Sequence, residues 1–150
     1  MKIEEEIKEG KFRDQYQRVA VNILFTANWL NGRFASFFKD FGLTPQQFNI
    51  LRILRGQVPN KISGVEIKAR MLDRNSDISR LLDRLLKKKL ISKTQCPNDK
   101  RAGEIAITAA GLDLLAQIDA QFNKMERALL ADLSEAEALQ LSTLLDKCRG

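Results

Sequence analysis

Asn75-Ser76-Asp77-Ile78-Ser79-Arg80-Leu81-Leu82-Asp83-Arg84-Leu85-Leu86-Lys87-Lys88-Lys89-Leu90-Ile91-Ser92-Lys93-Thr94-Gln95-Cys96-Pro97-Asn98-Asp99-Lys100-Arg101-Ala102-Gly103-Glu104-Ile105-Ala106-Ile107 is the stretch that decides the fold. At 100° per residue, Ile78, Leu81, Leu82 and Leu85 line one side of a helix and Ser76, Arg80, Asp83, Arg84 and Lys87 the other. This predicts a helix from Asn75 to Lys88 docked by its leucines. Leu90 to Gln95 then reads as a strand, Cys96 to Gly103 as a turn-rich loop, and Glu104 to Ile107 as a returning strand. Upstream, Ser63-Gly64-Val65-Glu66 is a capping box opening a short helix through Met71. Asp73 to Ser76 is the polar turn between the two helices. Helix, turn, helix and basic-tipped hairpin make a winged helix-turn-helix.

The exposed face of the second helix has the residue types that duplex reading needs. Small polar groups let the first turn enter the major groove, Arg donates bidentate bonds to guanine, and later basic residues meet phosphate. The candidate DNA-binding residues are Asn75, Ser76, Asp77, Ser79, Arg80, Arg84 and Lys87, joined on the hairpin by Lys100 and Arg101. Asp83 is expected to pair with a neighbouring cation at helical spacing. Arg101 at the hairpin tip suits a narrow minor groove, and Asp99 two residues earlier can accept from it and brace the loop. Charge follows the same map. Asn60 to Gly103 holds 12 Lys and Arg against 5 Asp and Glu, whereas the rest of the chain holds 13 against 14. The net +6 therefore sits in the middle third, as a polyanion-binding footprint would. A lysine-rich solvated surface is the plainer reading of charge alone.

Working outward, Phe12, Tyr16, Val19, Ile23, Leu24, Ala27, Leu30, Phe34, Phe37 and Phe41 recur at threes and fours, predicting one helix from about Lys11 to Asp40. A helix that long exceeds what a 150-residue globule needs inside and extends into a partner or bridges two lobes. Gly42 ends it. Thr44-Pro45-Gln46-Gln47 opens the next helix, buried through Phe48, Ile50, Leu51, Ile53 and Leu54, with a loop from Gly56 to Asn60. Thr108 caps a helix from Ala109 to about Ala131, and Ser134-Glu135-Ala136-Glu137 opens a terminal one. The expected fold is mainly α with a small β-wing, in a single domain over 1–150. Its winged-helix lobe spans about 43–107, between helices at about 11–41 and 109–148.

The chain has no histidine and only Cys96 and Cys148, which nearly excludes the usual zinc sites and the Ser-His and Cys-His nucleophile pairs and leaves carboxylate-only chemistry formally open. No enzyme motif, cofactor or metal is expected. The polar start reads as no secretory signal, and Val19 to Leu30 is too short and interrupted to span a bilayer. A cytoplasmic protein without a membrane partner is the expectation.

Several local motifs together resemble the MarR family of bacterial transcriptional regulators. Leu43-Thr44-Pro45-Gln46-Gln47-Phe48-Asn49-Ile50-Leu51 is similar to its second helix, and Ile78 to Leu85 to its recognition helix. Lys88-Lys89-Leu90-Ile91 is similar to its exit into the wing, with Lys89 at the usual Gly. Asp99-Lys100-Arg101 resembles its Asp-x-Arg wing signature and Ile107-Thr108-Ala109-Ala110-Gly111 its Leu-Thr-x-x-Gly. Glu104 stands where the wing often carries a second basic residue, leaving one anchor. The resemblance runs from Phe12 to the C-terminus. It implies a homodimer built from the N- and C-terminal helices, binding double-stranded DNA at a pseudo-palindromic operator, repressing nearby genes and released by a small ligand. It also implies a ligand site between the dimer helices and the reading head. Phe25, Trp29, Arg33 and Phe37 on the first helix are candidates to hold an aromatic acid, although such a stripe also suits a packed core. Two alternatives remain: a redox switch through Cys96 or Cys148, and a winged-helix protein–protein module without DNA binding.

Overall fold

The computed structural model of the chain describes residues 1–8, 10–96 and 99–150, with the backbone alone for 96 and 99–102. Seven helices and three strands are described: α1 (Ile3–Glu6), α2 (Gln15–Lys39), α3 (Pro45–Gln57), β1 (Ile62–Ser63), α4 (Gly64–Arg70), α5 (Ile78–Lys87), β2 (Ile91–Cys96), β3 (Asp99–Ile107), α6 (Ala109–Leu129) and α7 (Glu135–Arg149). The fold is mainly α with a winged helix-turn-helix. No described helix is long and apolar enough to cross a membrane.

Caps set most of the boundaries. Thr44, Ser63 and Ser134 each form a capping box with the Gln or Glu three residues on, and Thr108 accepts from Gly111 N. The long helix starts at Gln15, not Lys11, because Asp14 caps it by accepting from Gln17 N at 2.8 Å. Its 25 residues span about 38 Å. Leu43 N donates to Phe38 O and Gly42 N to Lys39 O, a Schellman ending with Gly42 left-handed at φ 69°. Phe38 and Leu43 bracket that turn inside the core. The loop expected from Gly56 begins only after Gln57.

The sheet differs from the expected hairpin. It has three antiparallel strands in the order β1-β3-β2, with Ile62 opposite Ile105 and Ile91 opposite Ile107. β3 begins at Asp99 rather than Glu104, and the ladder shifts register between Gln95 and Cys96. The expected eight-residue loop is thus mostly strand. The short α1 lies on α2, with Ile3 buried and Arg18 Nε donating to Glu4 Oε1 at 2.7 Å.

The core gathers Ile50, Leu51 and Leu54 of α3, Ile67 of α4, Leu82 and Leu85 of α5, Ile105 of β3, and Leu115 and Ile118 of α6. Phe38 of α2 joins it by stacking on Phe48 and Phe122, with ring centres 4.2 and 5.2 Å away. Arg55 of α3 grips Asp119 of α6 through two bonds of 2.8 and 3.3 Å. The reading helices are therefore fastened to the end of α2 and the first half of α6. The start of α2 and all of α7 lie outside this core: Tyr16, Leu24 and Leu139 are exposed at 87%, 66% and 70%, and α7 buries nothing.

Candidate nucleic-acid interface

α5 begins later than expected. Asp73 Oδ1 accepts from Asn75 N at 2.9 Å, Ser76 N donates to Asp73 O, and Asp77 Oδ1 caps the helix by accepting from Arg80 N. Asn75 to Asp77 therefore form the turn leading into α5 rather than its first turn. Asn75 and Asp77 are exposed. Ser76 departs from expectation: it is only 9% exposed, and its Oγ has no partner among the described residues. The wheel extended the helix back past its cap and so gave Ser76 the wrong side.

From Ile78 onward the wheel holds. Ile78, Leu82 and Leu85 are buried, Leu81 is half-buried, and Ser79, Arg80, Asp83, Arg84 and Lys87 are exposed. Asp83 makes no ion pair among the described residues, contrary to expectation. It lines a groove of about 650 Å³ between α4, α5 and the sheet, together with Lys68 and Lys93. A second groove of about 320 Å³ runs past the starts of α3 and α5 and is walled by Thr44, Gln46, Asp77, Arg80 and Arg84. Lys68 and Lys93, neither of them expected at the site, add charge to the first groove, and Lys61 Nζ donates to Thr94 Oγ1 on β2. Their signal was the middle-third charge excess, which assigned no individual residue beyond the helix and the hairpin tip.

The wing's direction is set where α5 ends. Leu90 N donates to Leu85 O and Lys89 N to Leu86 O, a second Schellman ending. Here the left-handed residue is Lys89, at φ 61°. Thr108 locks the turn to the end of β3: its Oγ1 donates to Lys89 O at 2.8 Å and its N–H to Leu90 O at 3.0 Å. Gly111 sits against the same turn, where a Cβ would lie 2.4 Å from Leu90 O and 2.6 Å from Ile107 Cγ1. Backbone cannot yield to such a contact, so the Thr-x-x-Gly spacing is a packing requirement. The hairpin thus leaves α5 at a fixed angle. The backbone of Asp99, Lys100 and Arg101 lies in β3. The side chains of these three and of Cys96 lie outside the described residues, as does the whole of Asn98. Cys148 is a free, exposed thiol on α7.

The four candidate effector residues are not brought together. Phe25 and Trp29 line a groove of about 380 Å³ with Arg18 and α1. Arg33 is exposed, and Phe37 packs on Phe38, Phe41 and Phe122 at 5.3, 5.4 and 5.7 Å. A different groove, of about 480 Å³, lies between α2, α3 and α6, with Phe34, Phe38 and Phe122 as aromatic walls and Arg52 and Glu126 as charges. It reaches Leu72 and Asp73 in the turn before α5, which Asn49 Oδ1 holds by accepting from Leu72 N at 2.9 Å.

Comparison with known proteins gives this geometry a context. The MarR family's sequence model matches residues 43–102, the reading helices and most of the wing. The transcriptional regulator PecS of Dickeya dadantii is 29% identical over 111 residues, covering 73% of this chain and 67% of PecS. A MarR transcription factor from Planctomyces limnophilus superposes with a TM-score of 0.71 at 29% identity, over 91% of this chain and 98% of that one. The DNA complex of MepR from S. aureus superposes with a TM-score of 0.75 at 25% identity, over 92% and 97%.

Proposed function

We propose that this chain, whose residues 43–102 match the MarR family's sequence model, is a MarR-family transcription regulator and not an enzyme, acting as a cytoplasmic homodimer that represses transcription at a pseudo-palindromic operator. The observation that carries this reading is α5. Its apolar side is sealed in the core, while Ser79, Arg80, Arg84 and Lys87 stand exposed on a helix whose start is held by Asp73 and Asp77. Arg80 and Arg84 read base edges, and Lys87 meets phosphate. Asn75 and Asp77 flank the entry, and Ser76 supports it from inside. Arg101, with Lys100, enters the minor groove, braced by Asp99.

The dimer reading is supported by the apolar faces that the core leaves uncovered. Val19, Ile23 and Leu24 of α2 and Leu139, Leu141 and Leu144 of α7 are exposed, and a second copy placed across them would remove them from water. In this division residues 43–107 are the reading lobe, and α2, α6 and α7 set the distance between two such lobes. Two-fold symmetry puts the half-sites one helical turn apart, about 34 Å.

Release by a ligand is assigned to the groove between α2, α3 and α6 rather than to Phe25, Trp29, Arg33 and Phe37. A flat aromatic acid suits its phenylalanine walls with Arg52 at the rim. It would press on the Asn49–Leu72 link and so tilt α5. The test is duplex affinity across a salt series. A reader shows log K falling steeply with log salt, and Arg80→Ala and Arg84→Ala each lose about 1–3 kcal/mol and relax base preference. A flat salt dependence in the unmodified chain contradicts the proposal and favours a protein–protein module.

A further inference from the structure

A third groove, of about 430 Å³, lies where the end of α2 meets the end of α5. Its walls carry four cations: Lys39, the last residue of α2; Arg84 and Lys87 of α5; and Lys88, which follows α5 directly. No carboxylate lines it, and Asp40, next to Lys39 in the chain, lies outside its walls. None of the four cations makes an ion pair among the described residues. Lys88 Nζ donates to Gly42 O, which ties the α2–α3 corner to the end of α5. Thr44 and Gln47, also in the wall, already satisfy one another in their capping box.

The juxtaposition is not a by-product of one helix face. Lys39 and Lys88 come from segments nearly fifty residues apart, and bringing like charges together is unfavourable unless an anion joins them. Arg84 is shared with the groove walled by Arg80, Asp73 and Asp77, so the four-cation pocket adjoins the exposed α5 face directly. A polyanion lying along α5 passes directly over this pocket, and the duplex bound by α5 supplies one. We infer that the α2–α3 corner seats the sugar–phosphate backbone flanking the groove that α5 enters, with Lys39 and Lys88 as phosphate contacts beyond the recognition helix and wing. This rests on the DNA-reading proposal and extends its footprint to a helix otherwise assigned to dimer assembly. The contact is to phosphate alone, so it strengthens binding without choosing sequence.

The experiment uses the full chain and the tightest duplex that it recovers from a random pool, with Kd measured from about 50 to 200 mM salt. Lys39 is exposed and its side chain makes no bond among the described residues, so Lys39→Gln leaves the fold intact. The slope of log K against log salt should become shallower by about 0.9 in Lys39→Gln and by about 1.8 when Lys88→Gln is added, with base preference unchanged. Lys11→Gln, on an exposed residue ahead of α2, should keep the full slope. A Lys39→Gln variant that keeps the full slope overturns this inference and leaves the DNA reading standing. A flat slope in the unmodified chain overturns both.

Discussion

The reading lobe and the helices that flank it are finished to different degrees. In the lobe Ile50, Leu51, Leu54, Ile67, Leu85 and Ile105 are almost completely buried, and every helix end is capped by a neighbour or by the turn after it. In α7 no residue is buried, and three of its leucines face water. The start of α2 is similar, with Tyr16, Val19 and Leu24 exposed. Both regions carry helical apolar stripes in the sequence, but only one stripe meets a partner within the chain. The lobe owes its shape to internal packing, whereas the start of α2 and α7 hold an apolar surface that nothing within the described residues covers, the surface that the proposed dimer would bury.

The largest expected effect comes from attacking that surface. Leu139→Asp with Leu144→Asp should remove two anchors worth about 1.5–3 kcal/mol each when buried, turning the dimer into monomers in sedimentation while the lobe stays folded. Wild-type sedimentation in this variant would mean that α7 is not at the interface. Next is Gly111→Ala, which drives a methyl into Leu90 O and Ile107. It should cost about 1–3 kcal/mol in thermal melts and weaken duplex binding by freeing the wing angle, without changing the dimer. An unchanged melting temperature would show that the turn yields.

Smaller, and opposite in sign, is Lys89→Gly. The two Schellman endings match in hydrogen bonding, but α2 ends on Gly42 at φ 69° and α5 on Lys89 at φ 61°. Relieving a left-handed lysine should raise stability by about 1 kcal/mol, after glycine's greater freedom in the unfolded chain is set against it. The smallest effect is in acid. The N–H of Gln17 and then the Arg13 side chain hold Asp14 below its ordinary 3.8, and Ser134, through its N–H and hydroxyl, holds Glu137 below its ordinary 4.5. Both groups favour folding above those values and lose that contribution as pH falls through the lower folded-state values. Helicity of α2 and α7 should therefore fray below about pH 4, and Asp14→Asn should flatten that part of the acid profile.

Local chemistry was legible from residue order. The Thr44, Ser63, Thr108 and Ser134 caps, the Gly42 stop and the leucine side of α5 follow from spacing, because a cap and its partner sit three residues apart. The misreadings arose at an unrecognised local turn and where distant contacts decide. Asp73 and Asp77 bend the chain before α5, which put Ser76 inside. Ile62–Ser63 is too short to show alternation and becomes a strand only because β3 lies beside it. Periodicity placed Phe25, Trp29, Arg33 and Phe37 on one helix stripe but carried no information about what covers each. Phe37 is taken by Phe41 and Phe122, while Phe25 and Trp29 lie beside α1. The Gly position of the resemblance, filled by Lys89, and the fixed Gly111 gain their physical reasons only from the turn that joins α5 to the wing.

The central claim, a symmetric duplex reader built on α5, is tested most directly by selecting bound sequences from a random duplex pool with the intact chain. The account predicts enrichment of two half-sites related by a dyad, with centres about 10–10.5 base pairs apart, and loss of the enriched bases on Arg80→Ala or Arg84→Ala. A pool that stays random through selection, or enrichment that both substitutions leave untouched, would contradict it.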